Sequence, residues 1–207
     1  MSIRLISLIC LVIALVPTAP AQDAAPKFVF DTGTPPWRGE SIPLPPTFAR
    51  DLGWKGVEEI RFAPGMFDAT SDSFFSYVLV FLLEPGSDLS EAGLKRELLT
   101  YYRGLSKAVM ADRQKSVETE GFTITLAQAA KVEASPVNAT GVSAYSGILK
   151  WVEPFATQKE QSLHLEVHTW KHGDRPVVLS CVSPVAPDGE ALWKSLRDIR
   201  AKFRFDP

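Results

Sequence analysis

Residues 74–86, FFSYVLVFLLEPG, decide the fold. From Tyr77 to Leu83 every side chain is apolar or aromatic, and Pro85-Gly86 closes the run. A half-buried strand alternates polar and apolar residues, whereas this one does not, so both of its faces must be covered and it belongs inside a sheet. Immediately upstream, WKGVEEIRFAPG (54–65) reads as a second strand, and APGMFDATSDS (63–73) between the two carries the turn chemistry of Gly65, Asp68 and Asp72.

Downstream the period changes. Residues 87–114, SDLSEAGLKRELLTYYRGLSKAVMADRQ, place Leu94, Leu98, Tyr101, Leu105 and Val109 on one face at helical intervals, with Asp88 and Glu91 at capping-box spacing. Gly104 in the middle costs about 1 kcal/mol relative to alanine, which points to close packing of the helix on the sheet. Four further strands are expected in GFTITLAQAAKVEA (121–134), GVSAYSGILKWVEP (141–154), SLHLEVHTWKHG (162–173) and RPVVLSCVSP (175–184), joined as antiparallel neighbours by short turns. The last segment, from Pro187, is a helix with the apolar stripe Leu192, Leu196, Ile199 and Phe203. The expected architecture is α+β: a single antiparallel sheet of about six strands with two packed helices, in the order strand, strand, helix, four strands, helix.

The N-terminus is of another kind. Arg4, the apolar run Leu5–Val16, Pro17 and then Ala19-Pro20-Ala21 compose a secretory signal peptide cleaved after Ala21. A run of twelve residues falls short of the roughly 20 that cross a bilayer as a helix. Cys10 lies inside that run behind Ile9, where a lipoprotein signal needs a small residue. The expected location is secreted or periplasmic, and the chain is not expected to be an integral membrane protein. The expected organisation is a leader over 1–21, a Pro-rich extended arm over 22–53 and one α+β domain over 54–207. In the arm, Pro35, Pro36, Pro43, Pro45 and Pro46 prevent helix and central strand alike, while Phe28, Phe30, Trp37, Ile42, Leu44 and Phe48 are too apolar for a solvated linker and lay the arm across the domain.

Cleavage leaves Cys181 as the single cysteine, so no internal disulfide staples the fold. It also leaves 21 basic against 24 acidic residues, a balance that gives no reason to expect nucleic acid. Lys194, Arg197, Arg200, Lys202 and Arg204 crowd the end of the last helix, where the helix dipole favours cations.

Element order, and a C-terminal sixth of the chain that runs strand, helix with a tryptophan, terminal aromatic (Trp193 and Phe203), resemble the PsbP-like family of exported proteins. The resemblance implies a compact noncatalytic accessory domain and transfers no functional residue.

Chemistry-bearing patterns are sparse. All three histidines fall in SLHLEVHTWKH (162–172). As a strand, it sends Leu163, Leu165, Val167 and Thr169 to one face and His164, Glu166, His168, Trp170 and His172 to the other. At about 3.3 Å per residue, His164 and His168 stand about 13 Å apart, too far to share one zinc, whereas Glu166 with either histidine can begin a metal site if other strands supply ligands. Cys181 sits among apolar neighbours with nothing to activate it. No G-x-S-x-G elbow or phosphate-binding loop occurs, and Glu58 and Glu59 point to opposite faces of their strand.

The expected function is therefore an exported noncatalytic binding or accessory domain, more a binder than an enzyme, with no cofactor and with an envelope protein or small ligand as partner. The alternative is a metal-dependent enzyme or metal carrier using His164, Glu166 and His168. Candidate binding residues are Met66 and Phe67, two large apolar side chains in the 63–73 loop, and Trp170 on the histidine face. Intact-mass measurement of exported protein should show a chain beginning at Gln22; retention of residues 1–21 would refute the leader.

Overall fold

The computed structural model describes residues 26–188 and 190–206; the expected leader lies outside them. In chain order the elements are β1 (Lys27–Val29), β2 (Arg38–Leu44), β3 (Gly56–Phe62), β4 (Tyr77–Leu83), α1 (Glu91–Asp112), β5 (Thr123–Gln128), β6 (Ser143–Val152), β7 (Glu160–His172), β8 (Arg175–Ser183), α2 (Glu190–Lys202) and β9 (Arg204–Asp206).

The single six-stranded sheet is corrected. A seven-stranded antiparallel sheet runs β2-β3-β4-β8-β7-β6-β5, and β1 pairs with β9 in a second sheet of two strands. The six expected strands are β3 to β8; the additional ones come from the Pro-rich segment and the C-terminal tail. Proline removes a ladder donor, which a central strand cannot spare but an edge strand can. Accordingly β2 lies at the edge, with Pro43 opposite Val57 of β3.

Strand β4 is buried at every residue and sits between β3 and β8. Its odd-numbered side chains, with Val178 and Val182 of β8 and Leu163, Leu165 and Val167 of β7, meet Leu94, Leu98, Tyr101 and Tyr102 of α1. Its even-numbered side chains, with Val177, Leu179 and Cys181 of β8, meet Trp193, Leu196, Ile199 and Phe203 at the other face. The sheet is thus a middle layer with one helix on each side. The β1–β9 pair closes the α2 side, where Phe28 and Phe30 stack on Phe203 with ring centroids 6.3 and 5.0 Å apart.

Helix α1 is capped by Ser90, whose hydroxyl accepts from Gly93 N–H at 3.1 Å; Asp88 supports the cap by accepting from Ser90 N–H at 2.9 Å. Gly104 does mark a close approach, but to the turn before β3 and not to the sheet: a methyl group there would stand 2.3 Å from the Phe48 carbonyl oxygen and 2.8 Å from Ala49 Cβ. The better helix former should therefore be the worse residue. Gly104→Ala should lower unfolding free energy by about 1–3 kcal/mol in urea titration, where an uncrowded helical glycine would gain up to about 1 kcal/mol.

Candidate functional site

On the α1 side of the sheet, the edge formed by β2 and β3 is incompletely filled. A cavity of about 350 Å³ opens there between β2, β3, the second half of α1 and the loop 63–76. Leu105 and Val109, the last two residues of the α1 stripe, line it and stay partly exposed, whereas Leu94 and Leu98 are buried in the core. From the sheet come Ile42, Ile60 and Phe62, all on the face that carries the main core.

The same face carries Glu58. Alternation along β3 puts Glu58, Ile60 and Phe62 inward and Val57, Glu59 and Arg61 to the other side. Glu58 is fully buried and lines the cavity. Its Oε1 accepts from the Tyr101 hydroxyl at 2.8 Å, while Oε2 is buried with no hydrogen-bond partner. Burial pushes its carboxyl up to about 7; the Tyr101 bond opposes the shift, and the charges of Glu40 and Glu59 add to it. Edge contacts with Phe48 and Phe81 hold the Tyr101 ring, at centroid distances of 5.1 and 5.8 Å. Behind it, the Tyr77 and Tyr102 hydroxyls bond to each other, and burial holds all three phenols well above their usual range.

The mouth is aromatic. Loop 63–76 is tied to itself and to β8: Phe75 N–H donates to the Met66 carbonyl at 2.9 Å, Asp68 accepts from Thr70 N–H at 2.9 Å, and Ser76 bonds Ser183 of β8 at 2.8 Å. This closure places Met66 in the wall, 5% exposed, and leaves Phe67 at the tip, 55% exposed, between Phe62 and Phe155 at 5.8 and 5.7 Å. Phe155 is fixed in turn by buried Glu153, which accepts backbone N–H bonds from Phe155, Ala156 and Thr157.

The other candidates lie on the opposite side of the sheet. Trp170 is buried among the α2-side residues, 6.2 Å from Phe203, and does not meet the cavity. Glu166 is engaged by α2: Arg197 Nε donates to Oε1 at 3.0 Å and Arg200 Nη1 to Oε2 at 2.7 Å. Burial alone would raise the Glu166 carboxyl, but these bonds outweigh it and hold the group below its ordinary range. His168 is buried, with Nδ1 unpartnered, and burial together with the Arg200 charge lowers it to about 4. His164 stays partly exposed. Among the described residues no three His, Cys, Asp or Glu side chains converge as a metal site. Cys181 is fully buried, and burial raises its thiol to about 12.

The sequence reading picked out Met66 and Phe67 but passed over Glu58, the chemically distinctive residue of the cavity. A usable signal was present: Ile60 and Phe62 at two and four residues from Glu58 mark its side of β3 as the buried one.

No protein-family model and no curated protein matches the chain. Among solved structures, LpqN of Mycobacterium tuberculosis, described as involved in cell envelope biogenesis, is similar at 10% identity over 90% of this chain and 87% of its own, with a TM-score of 0.36. A likeness that loose carries no argument about function, and nothing in these comparisons connects the chain with the PsbP-like family.

The buried carboxyl gives a signed pH dependence. Its folded value, about 7, lies above the ordinary 4.5, so the fold holds the proton more tightly than the unfolded chain does. The resulting stabilisation is full below the unfolded value and is lost as pH rises through the folded one. Glu58→Gln retains an acceptor for Tyr101 and removes the titration. Relative to wild type, the variant should gain about 3 kcal/mol in denaturant unfolding between about pH 4 and pH 8; a constant difference would show that Glu58 is not desolvated.

Proposed function

We propose that the chain is an exported, noncatalytic binding domain whose ligand is a small apolar molecule held in the Glu58 cavity. The observation that carries this reading is the buried Glu58 carboxyl, with Oε2 unpartnered, in the wall of a mostly apolar recess. Binding sites for small molecules have this composition: mostly apolar walls with a few placed polar groups. The signal-peptide pattern at residues 1–21 supports export, and no helix among the described residues is long and apolar enough to cross a membrane. In this reading Met66 shapes the wall and Phe67 closes over the ligand. Trp170 has no part in it, and the pairing of Glu166 with two arginines favours a structural role for the histidine strand.

Fluorescence titration with the neutral apolar dye Nile red tests the proposal. Wild type should bind at one saturable site. Leu105→Trp, which puts an indole into the cavity, should abolish binding while leaving the circular dichroism spectrum intact. Phe67→Ser should weaken binding about tenfold and change stability by less than about 0.5 kcal/mol, since the side chain is half exposed. Absence of saturable binding, or binding undiminished in Leu105→Trp, would refute the cavity as the site.

A further inference from the structure

The charged side chains that line the cavity are both acidic, and Arg113 stands at its rim as a donor to the Phe155 carbonyl oxygen. Glu58 forms part of the wall and Glu40 stands exposed on β2 beside it; no lysine, arginine or histidine is among the lining residues. Glu40 lies opposite Ile60 and Glu58 opposite Ile42, so the two acids are diagonal neighbours on the same face of the β2–β3 ladder. Neither the protonated Tyr101, which already donates to Oε1, nor the mutually bonded Tyr77 and Tyr102 reaches Oε2. The wall therefore holds a buried acceptor that lacks a donor, Glu58 Oε2, beside a second acid, with no cation among the lining residues.

Resting on the reading of this cavity as a ligand site, we infer that its ligand is an apolar amine, with the ammonium group donating to Glu58 Oε2 and the hydrocarbon body lying against Ile42, Ile60, Leu105 and Val109. Three headgroup classes can be compared. An anion would put like charge beside two carboxylates. A neutral alcohol would satisfy Oε2 but leave the acidic charge unbalanced. An ammonium does both, and charge-assisted hydrogen bonds are roughly twice as strong as neutral ones. In a recess shielded from water the attraction is screened less than at the surface.

Because an ammonium binds best to the ionised carboxylate, amine affinity must fall on acidification. The groups facing Glu58 are Tyr77, Tyr101, Tyr102 and Glu40, with Glu59 on the same strand; burial keeps the phenols protonated throughout the neutral range. No cationic group stands among them.

Displacement of Nile red by octylamine, octanol and octanoate, equal in chain length and different in charge, decides the matter. At about pH 8 octylamine should compete at least about tenfold better than octanol, with octanoate weakest, and the margin should shrink near pH 5.5. Glu58→Gln should reduce octylamine to the level of octanol. Glu40→Gln, at an exposed position, should weaken octylamine by a few-fold with octanol unchanged, a result independent of how Glu58→Gln folds. Equal competition by the three probes, a preference for octanoate, or an amine preference that survives both substitutions would overturn the assignment while leaving the cavity as a site. Failure of Nile red itself to bind would remove the cavity reading and the amine assignment together.

Discussion

Burial of β4 on both faces is the constraint from which the rest of the architecture follows. Seven consecutive buried side chains require cover on two sides, and the chain has one long amphipathic helix after β4 and one at its end to supply it. Packing α1 against the odd-numbered residues and α2 against the even-numbered ones makes two hydrophobic clusters separated by the sheet. With no disulfide among the described residues, these clusters and the ladders between them carry the stability. The short β1–β9 pair completes the α2 side by bringing Phe28 and Phe205 to 5.0 Å over the exposed end of that cluster.

Much of this was legible because the periods were clean. The continuous apolar run at 77–83, the helical stripe from Leu94 and the alternation in SLHLEVHTWKH each specified an element and its facing. The edges were not legible. Pro43 argues against a strand only when both sides of the strand must bond, and a linear pattern does not show that β2 has a single neighbour. The three-residue strands β1 and β9 carry too few residues for any period, and their pairing joins the two ends of the described chain, a contact without local signal.

Charge was harder to read than period. Basic residues at the end of α2 are explained by the helix dipole, yet Arg197 and Arg200 also reach across to Glu166 on β7, 31 and 34 residues away. On the histidine strand the central acid, Glu166, is engaged by two arginines, and burial together with the Arg200 charge lowers His168. Pairing Glu166 with Arg197 and Arg200 also ties α2 to the sheet. Nothing in the sequence pairs a given arginine with a given glutamate until topology brings β7 beneath α2.

The buried glutamates of the described chain then separate by what their oxygens do. Glu97 accepts from Gly53 N–H at 2.6 Å and pairs with Arg96; Glu153 collects the backbone N–H groups of its own loop; the partly buried Glu166 holds two arginines. Each offsets its desolvation with bonds that also position a turn, a loop or a helix. Glu58 has one neutral bond, from Tyr101, and one unpartnered oxygen, and burial, which that bond only partly opposes, raises its carboxyl to about 7. Packing does not require an acid there, since Ile42 and Ile60 flank the position and a branched aliphatic side chain would continue their surface at lower cost. Three acids on this scaffold are explained by partners within it. The fourth, Glu58, has one oxygen bonded to Tyr101 and the other buried without a partner among the described residues, in the wall of the cavity.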